Sequence, residues 1–103
     1  MDMIPSVDVT VVRIYTLEQA ENVTSILNYL QHDAKIRGIS VFRAVSGFGE
    51  TGIHNNSFLD VTFSLPLIIE FFDHPEKVTV ALEYLATIIK KEHLIFFSAK
   101  ANA

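Results

Sequence analysis

The order in which residue patterns change along the sequence is the strongest constraint on how this chain folds. Apolar and polar residues that alternate one by one predict a strand with one buried face, whereas apolar residues three and four apart predict a helix. Strand-like and helix-like segments follow one another here as strand, helix, strand, strand, helix, strand. That order restricts the chain to the few folds in which helices pack against an antiparallel sheet.

The first half of the chain contains two predicted strands and one helix. Residues 7–15 are mostly β-branched or aromatic, which is typical of a strand, and residues 39–45 predict a second strand. Between them Thr16 and Gln19 match a capping box, so we expect a helix to begin there and to end at a left-handed Gly38. The apolar stripe of this helix comprises Val23, Ile26, Leu27, Leu30 and Ala34.

A polar segment that contains several glycines follows the second strand. Residues 46–56 show no periodicity and exceed an ordinary hairpin connection, so they predict a loop, and we expect residues 47–56 to be mobile without a ligand. The third strand begins near Ser57 and alternates up to Leu65. Pro66 then predicts an edge, a bulge or a bend before the mostly apolar residues 67–72, because proline cannot donate a ladder hydrogen bond.

The second helix has a clear start signal. Asp73 is an acidic cap, Pro75 suits the first helical position and Glu76 completes the capping box. Two lysines at 90–91 suit the negative end of the helix dipole, and residues 94–99 predict the last strand. The apolar stripe of the helix comprises Val78, Ala81, Leu82, Leu85, Ile88 and Ile89.

Together these elements predict an α+β ferredoxin-like βαββαβ sandwich, in which a four-stranded antiparallel sheet carries two helices on one face. Large apolar residues at adjacent positions, such as Phe71 with Phe72 and Phe96 with Phe97, must point to opposite faces of the sheet. Two helices cover only one face, so the other face would expose more apolar surface than monomers usually do. We therefore expect a homo-oligomer that associates through the sheet.

Composition and charge exclude several classes of protein. The chain has 103 residues, of which 50% are hydrophobic, and this suits one folded domain over residues 1–103. A net charge of −4 opposes binding to nucleic acid, and the absence of cysteine excludes disulfides, zinc thiolate sites and cysteine nucleophiles. Residues 1–5 lack the features of a secretory signal, and every apolar run is too short to span a bilayer. We expect a cytoplasmic protein without membrane insertion.

The glycines of the central segment match a phosphate-binding pattern without its structural context. Gly47, Gly49 and Gly52 spell G-x-G-x-x-G, but a strand follows them instead of the helix that a dinucleotide site requires. Their amides can still form an anion-binding nest, or the glycines can simply permit positive φ values. Phe48 and its flanking glycines also resemble the core of an RNA-recognition motif, but the basic and aromatic neighbours of that motif are missing.

The ionisable residues form no catalytic or metal-binding pattern in the sequence. The four histidines show no ligand spacing, and no serine–histidine–acid or paired-carboxylate arrangement emerges, so we predict no catalytic residue, metal or cofactor. Arg43 and Glu70 are charges inside predicted strands. Two explanations remain open for Arg43: an ion pair, with Glu70 or between subunits, and a contact with a ligand.

Four short stretches occur in a fixed order: V-F-R-A-V-S-G-F-G at 41–49, G-I-H at 52–54, L-P-L-I-I-E-F-F-D at 65–73 and E-K at 76–77. Together they resemble the PII-like family called domain of unknown function 190, and the resemblance covers nearly the whole chain. It implies a ferredoxin-like subunit of a PII-like trimer, with residues 47–56 in place of the long signalling loop of PII. PII proteins bind nucleotides in clefts between subunits and regulate transporters and enzymes through that loop.

The resemblance implies a regulatory module. A nucleotide or another anionic metabolite would bind at a subunit cleft, and the ordered loop would contact a protein partner such as a transporter or an enzyme. The expected ligand-binding residues are Arg43, Gly47, Phe48, Gly49, Gly52 and His54. Two other functions remain open, namely a small enzyme with His54 as its acid or base and a ligand-free assembly protein.

Overall fold

A computed structural model of the chain describes residues 4–17, 20–49, 52–55 and 65–103, and describes residues 46–49 and 52–55 by their backbone. The strands in this part of the chain are β1 (Ser6–Leu17), β2 (Ile39–Arg43), β3 (Ser46–Gly49), β4 (Gly52–Asn55), β5 (Pro66–Asp73) and β6 (Leu94–Asn102). The α-helices are α1 (Val23–Asn28) and α2 (Pro75–Leu85). No helix of the described ranges is long and apolar enough to cross a membrane.

Four strands form one antiparallel sheet in the order β2-β5-β1-β6, and β3 pairs with β4 in a separate hairpin. The central strand β1 pairs with β5 from Thr10 to Leu17 and with β6 from Ser6 to Ile14. This strand order, with one helix after β1 and one after β5, is the predicted ferredoxin-like arrangement. The predicted fold class is therefore confirmed.

The core lies between the sheet and the two helices. Strand alternation directs Val12 and Ile14 of β1, and Ile69 and Phe71 of β5, to the same face, because cross-strand partners share a face. These four side chains are buried against the apolar stripes of both helices. The buried members of the stripes are Ile26, Leu30, Val78, Ala81 and Leu85, as the helical spacing predicts.

The start of α1 differs from the prediction. The capping box at Thr16 is wrong, because β1 continues to Leu17, which pairs with Pro66 of β5. The α-helix begins at Val23, and Asn22 at its N-cap position makes no capping hydrogen bond through its side chain. Cross-strand pairing thus outweighs the local capping signal, since it satisfies several backbone groups of the segment at once.

The end of the first helix also differs from the prediction. A π-helical turn, Tyr29–Asp33, follows α1, and the amide of Ala34 donates to the carbonyl of Tyr29 over 2.9 Å. The left-handed residue is Lys35, with a φ of 55°, whereas Gly38 has an ordinary φ, so the predicted glycine stop is wrong. The wider π turn ends the helix earlier, and the carbonyl of Lys35 accepts a hydrogen bond from Lys77 at that point.

The central segment is partly regular. The prediction of a structureless loop over 46–56 is wrong for β3 and β4, which pair in register from Ser46 with Asn55 to Gly49 with Gly52. The mobility of this segment stays a prediction. The strand predicted from Ser57 lies outside the described residues up to position 64, and Pro66 is the first residue of β5, where proline is tolerated in a strand.

The predicted position of the α2 start at Pro75 is confirmed, but the predicted cap and capping box are wrong, because the N-cap residue is His74 instead of Asp73 and its side chain makes no capping hydrogen bond. Pro75 occupies its first turn, Glu76 follows, and the carboxylate of Asp73 accepts a hydrogen bond from the amide of His74, which is the N-cap residue. Proline has no amide proton to leave unsatisfied there, and its fixed φ suits a helix. The last strand is longer than predicted and runs beyond Ala99 to Asn102, because it continues to pair with the beginning of β1.

Candidate functional site

One end of the sheet, which we call the hairpin end, gathers the hairpin and several basic residues. β2 ends there at Arg43, opposite Leu67, and β6 begins there at Leu94, opposite Ile14. The amide of Ala44 donates to the carbonyl of Pro66 over 2.8 Å, which holds the chain beside β5 where it leaves the sheet for the hairpin. The hairpin is therefore attached directly to the end of the main sheet.

The hairpin brings together most of the residues that the sequence predicts for ligand binding. Its register pairs Gly47 with His54 and Gly49 with Gly52, while Phe48 pairs with Ile53. Five of the six predicted residues thus share one hairpin, and Arg43 lies shortly before it at the end of β2. Their role in binding stays a prediction.

A cleft of about 280 Å³ opens at the hairpin end between the end of β1, the start of α1 and the segment after α2. Its floor is apolar, because the buried side chains of Ile14 and Ile26 line it together with Ile88 and Ile89. Asn22 lies at the same cleft and donates from Nδ2 to the carbonyl of Ile88 over 3.2 Å. This hydrogen bond connects the start of α1 to the segment after α2.

Polar and basic residues line the same cleft, and sequence reasoning missed them as site residues. Lys90 and His93 come from the segment between α2 and β6, and Thr16 comes from the end of β1. By sequence pattern alone, Thr16 matches a helix cap and Lys90 suits the end of a helix dipole. The signal that was available is the basic cluster at 90–93, directly before the last strand.

Four basic residues lie at the hairpin end, and side chains of this kind can bind an anionic ligand. Arg43, Lys90, Lys91 and His93 lie there. Glu92 interrupts this basic segment. In the ranges that the structure describes, no three or more metal-ligating side chains come together.

Glu70 pairs with Arg13, so the predicted pair between Arg43 and Glu70 is wrong. Arg13 donates from Nε to Oε1 of Glu70, and the two residues are direct cross-strand partners. Arg43 is opposite Leu67, which places it on the sheet face that carries the helices, whereas Glu70 lies on the other face. The strand order decides this outcome, because β5 lies between β1 and β2 and alternates its side chains between the faces.

The sheet face opposite the helices, which we call the open face, is largely apolar. Phe42 is 51% exposed there and Phe97 is 40% exposed. The guanidinium carbon of Arg13 lies 5.3 Å from the centroid of the Phe97 ring, so the cation of the central ion pair also contacts an aromatic face. The other apolar residues that the register places on this face include Val11, Ile68, Phe72 and Ile95.

The family model of DUF190, described as "Uncharacterized ACR, COG1993", matches residues 9–101. The chain belongs to this family. A relative from Aquifex aeolicus (strain VF5), a UPF0166 protein, is 39% identical over 59 residues, which represent 53% of this chain and 56% of the relative. The match thus spans just over half the length of that relative.

Solved structures share the fold of this DUF190 chain at low sequence identity. CPII from Thiomonas intermedia K12, a nitrogen regulatory PII-like protein bound to ADP, AMP and bicarbonate, has a TM-score of 0.74 at 14% identity, with 97% of this chain and 93% of CPII covered. The divalent ion tolerance protein CutA1 from Ehrlichia chaffeensis has a TM-score of 0.58 at 17% identity, with 99% and 87% covered. These similarities show that the DUF190 chain has a PII-like fold.

Proposed function

We propose that the protein is a PII-like regulatory subunit that binds a small anionic ligand at the hairpin end and signals to a protein partner through the β3–β4 hairpin. The observation that carries this proposal is the position of Arg43, Lys90 and His93 at the end of the sheet to which the hairpin is attached. Arg43 and the glycine amides of the hairpin would hold the anion and restrain the hairpin, and Lys90 and His93 at the other edge of the same sheet end would add positive charge. The partner would then recognise the restrained form.

The ligand that we propose is a nucleotide or another small anionic metabolite. The likeness to CPII, which was solved with ADP and bicarbonate, supports this class of ligand. Lysine and arginine side chains bind phosphate and carboxylate groups through charge-assisted hydrogen bonds, and the apolar floor beside Ile14 and Ile26 suits an uncharged part of the ligand. This role requires no catalytic residue, and we propose a binding protein rather than an enzyme.

The open face supports the proposal that the functional unit is an oligomer, which we propose to be a PII-like trimer of single-domain subunits in the cytoplasm. Burying Phe42, Phe72 and Phe97 between subunits would remove a large apolar surface from water. The ligand would then bind where the hairpin end of one subunit meets its neighbour.

Thermal unfolding and titration calorimetry test the proposal with ADP, AMP and bicarbonate as probes. A ligand at about a hundred times its Kd should add about 2.7 kcal/mol to the free energy of unfolding. Arg43→Gln and Lys90→Gln should each weaken binding about tenfold or more, while their unfolding free energies stay within about 0.5 kcal/mol of wild type. Lys100→Gln is the matched control, because Lys100 is an exposed lysine that pairs with Asp8 at the opposite end of the sheet.

Two results would count against the proposal. One is that none of the three probes shifts the unfolding temperature. The other is that Arg43→Gln and Lys90→Gln both bind a probe with the affinity of wild type and of the Lys100→Gln control. Turnover of a nucleotide that is lost in His54→Gln would instead support the alternative function as a small enzyme.

A further inference from the structure

The outer surface of the helix layer exposes a line of apolar side chains. Val80 is 61% exposed, Tyr84 is 39% exposed and Ile88 is 36% exposed. Residues four apart on a helix are neighbours, so these three form a continuous stripe along α2 and the turn after it. The opposite stripe of α2 is buried in the core, and α2 therefore carries a second apolar surface that the core does not use.

Tyr29 from the first helical segment widens this stripe into a shallow groove. Its ring stacks on the ring of Tyr84, with 4.0 Å between the centroids and 28° between the planes. A hollow of about 490 Å³ lies beside the pair and is lined by Ser25, Asn28, Tyr29, His32, Asp33 and Tyr84. The groove thus runs between the two helical segments, with aromatic rings in its floor.

Carboxylates surround the groove. Asp33 lines the hollow, and its charge adds to the effect of burial in raising the pKa of Tyr29. Glu76 and Glu83 lie four residues before and three residues after Val80, so both are its neighbours on the helix surface. Within the described ranges none of these three carboxylates has an ion-pair partner.

The basic residues near the groove do not neutralise this rim. Lys77, the lysine of α2, lies 3.5 Å from the carboxylate of Asp73 and donates to the carbonyl of Lys35, so its ammonium is held at the edge of the helix layer. His32 is the other basic residue that lines the hollow. The acidic rim around the apolar floor disfavours the binding of nucleic acid, of anionic lipid and of the same surface on a second copy, because all three carry negative charge.

We propose that this groove binds an amphipathic helix of a partner protein, with apolar residues against Val80, Tyr84 and Ile88 and with lysine or arginine residues against the acidic rim. The stripe from Val80 to Ile88 is about 12 Å long, which matches two turns of a helix. Apolar anchors three and four residues apart with basic flanks are a known mode of helix recognition in grooves. Because the helices lie opposite the open face, this surface stays accessible if subunits associate through the sheet.

The intact protein and three synthetic peptides of about 18 residues test the proposal. The first peptide has leucines at helical spacing and lysines elsewhere, the second has glutamates instead of the lysines, and the third has the composition of the first in scrambled order. Calorimetry should detect micromolar binding of the first peptide and no binding of the other two. On titration with the first peptide, the amide NMR shifts that change should map to α2 and the segment around Tyr29.

Matched variants locate the site on the protein. Val80→Asp and Glu83→Lys should each weaken binding of the first peptide about tenfold or more. Val45→Asp and Glu92→Lys alter an exposed valine and an exposed glutamate elsewhere and should leave the Kd unchanged. Glu83→Lys is on the helix surface and should fold like wild type, so the test does not depend on the valine variant alone.

Several outcomes would overturn the proposal. No binding of the first peptide at millimolar concentration would do so, as would equal binding of the scrambled or the glutamate peptide. Unchanged affinity in both groove variants would place the peptide elsewhere. A lower molecular mass of Val80→Asp by light scattering would show that a second copy of the chain occupies the groove.

Discussion

The buried carboxylate of Asp73 accepts a hydrogen bond from the backbone amide of Arg37 over 3.2 Å, which joins the end of β5 to the segment before β2. It also accepts one from the amide of His74 over 2.8 Å and lies 3.5 Å from the ammonium of Lys77. Burial alone would raise the pKa of Asp73, which is 1% exposed, but the two amides and Lys77 together lower it. The folded protein therefore stabilises the ionised form of this side chain.

Asp73 should make stability depend on pH in the acidic range. A carboxylate with a lowered folded-state pKa contributes stability above its unfolded pKa of about 3.9, and the contribution is lost as the pH falls through the folded value. Asp73→Asn should lower the free energy of unfolding by about 1–3 kcal/mol at pH 7. It should also flatten the decline in acid, which urea denaturation across this pH range measures.

Asp8→Asn is the matched control for this prediction. Asp8 is exposed and pairs with Lys100 over 2.7 Å, and an exposed ion pair contributes less than about 1 kcal/mol. Equal losses of stability in the two variants, or an unchanged acid profile in Asp73→Asn, would contradict the role that we assign to Asp73.

The left-handed conformation of Lys35 and the ordinary conformation of Gly38 predict opposite effects of glycine at the two positions. Gly38→Ala should raise the free energy of unfolding by about 0.4–1 kcal/mol, because a Cβ there meets nothing within 4 Å and restricts the unfolded chain. Lys35→Gly should stabilise the protein by up to about 1 kcal/mol, because glycine has no steric penalty at a φ of 55°. Thermal unfolding measures both, and a marked loss of stability in Gly38→Ala would show that Gly38 is the left-handed residue after all.

The ion pair between Arg13 and Glu70 should control association through the open face. Arg13→Met or Glu70→Leu alone leaves one charge on an apolar surface that subunits would bury. The oligomer of either variant should therefore dissociate at a higher protein concentration than that of wild type. The double variant removes both charges and should assemble again. Sedimentation velocity compares the four proteins. If the single variants keep the wild-type mass at every concentration, this ion pair does not control assembly.

Amides of the β3–β4 hairpin should exchange with solvent much faster than those of β1 and β5 in the ligand-free protein. The hairpin pairs with no other strand of the described chain, and an isolated two-stranded hairpin is only marginally stable. We expect a difference of about a hundredfold or more, which should shrink when an anionic ligand binds. Uniformly slow hydrogen exchange across β1, β3 and β4 in the free protein would disagree with this expectation.

Local patterns in the sequence predicted the element order of the main sheet, the core stripes and the start of α2. Each depends on signals within a few residues: the period of a strand or helix, and the proline and acidic residues around Pro75. The apolar residues on both sheet faces likewise predicted a surface that requires a partner. Such local signals are reliable because covalent geometry sets where successive side chains point.

The contacts between distant residues could not be predicted from such local patterns. The capping box at Thr16 was a valid local signal, but β5 offered the same backbone a longer series of hydrogen bonds. Glu70 had several possible partners in the sequence, and the order of the strands brought Arg13 to it instead of Arg43. Lys90 and His93 became candidate site residues only because the segment after α2 reaches the end of β1, at the same end of the sheet as the hairpin. Contacts of this kind depend on strand order and on backbone hydrogen bonds between remote segments, and neither is encoded in the spacing of side chains along one segment.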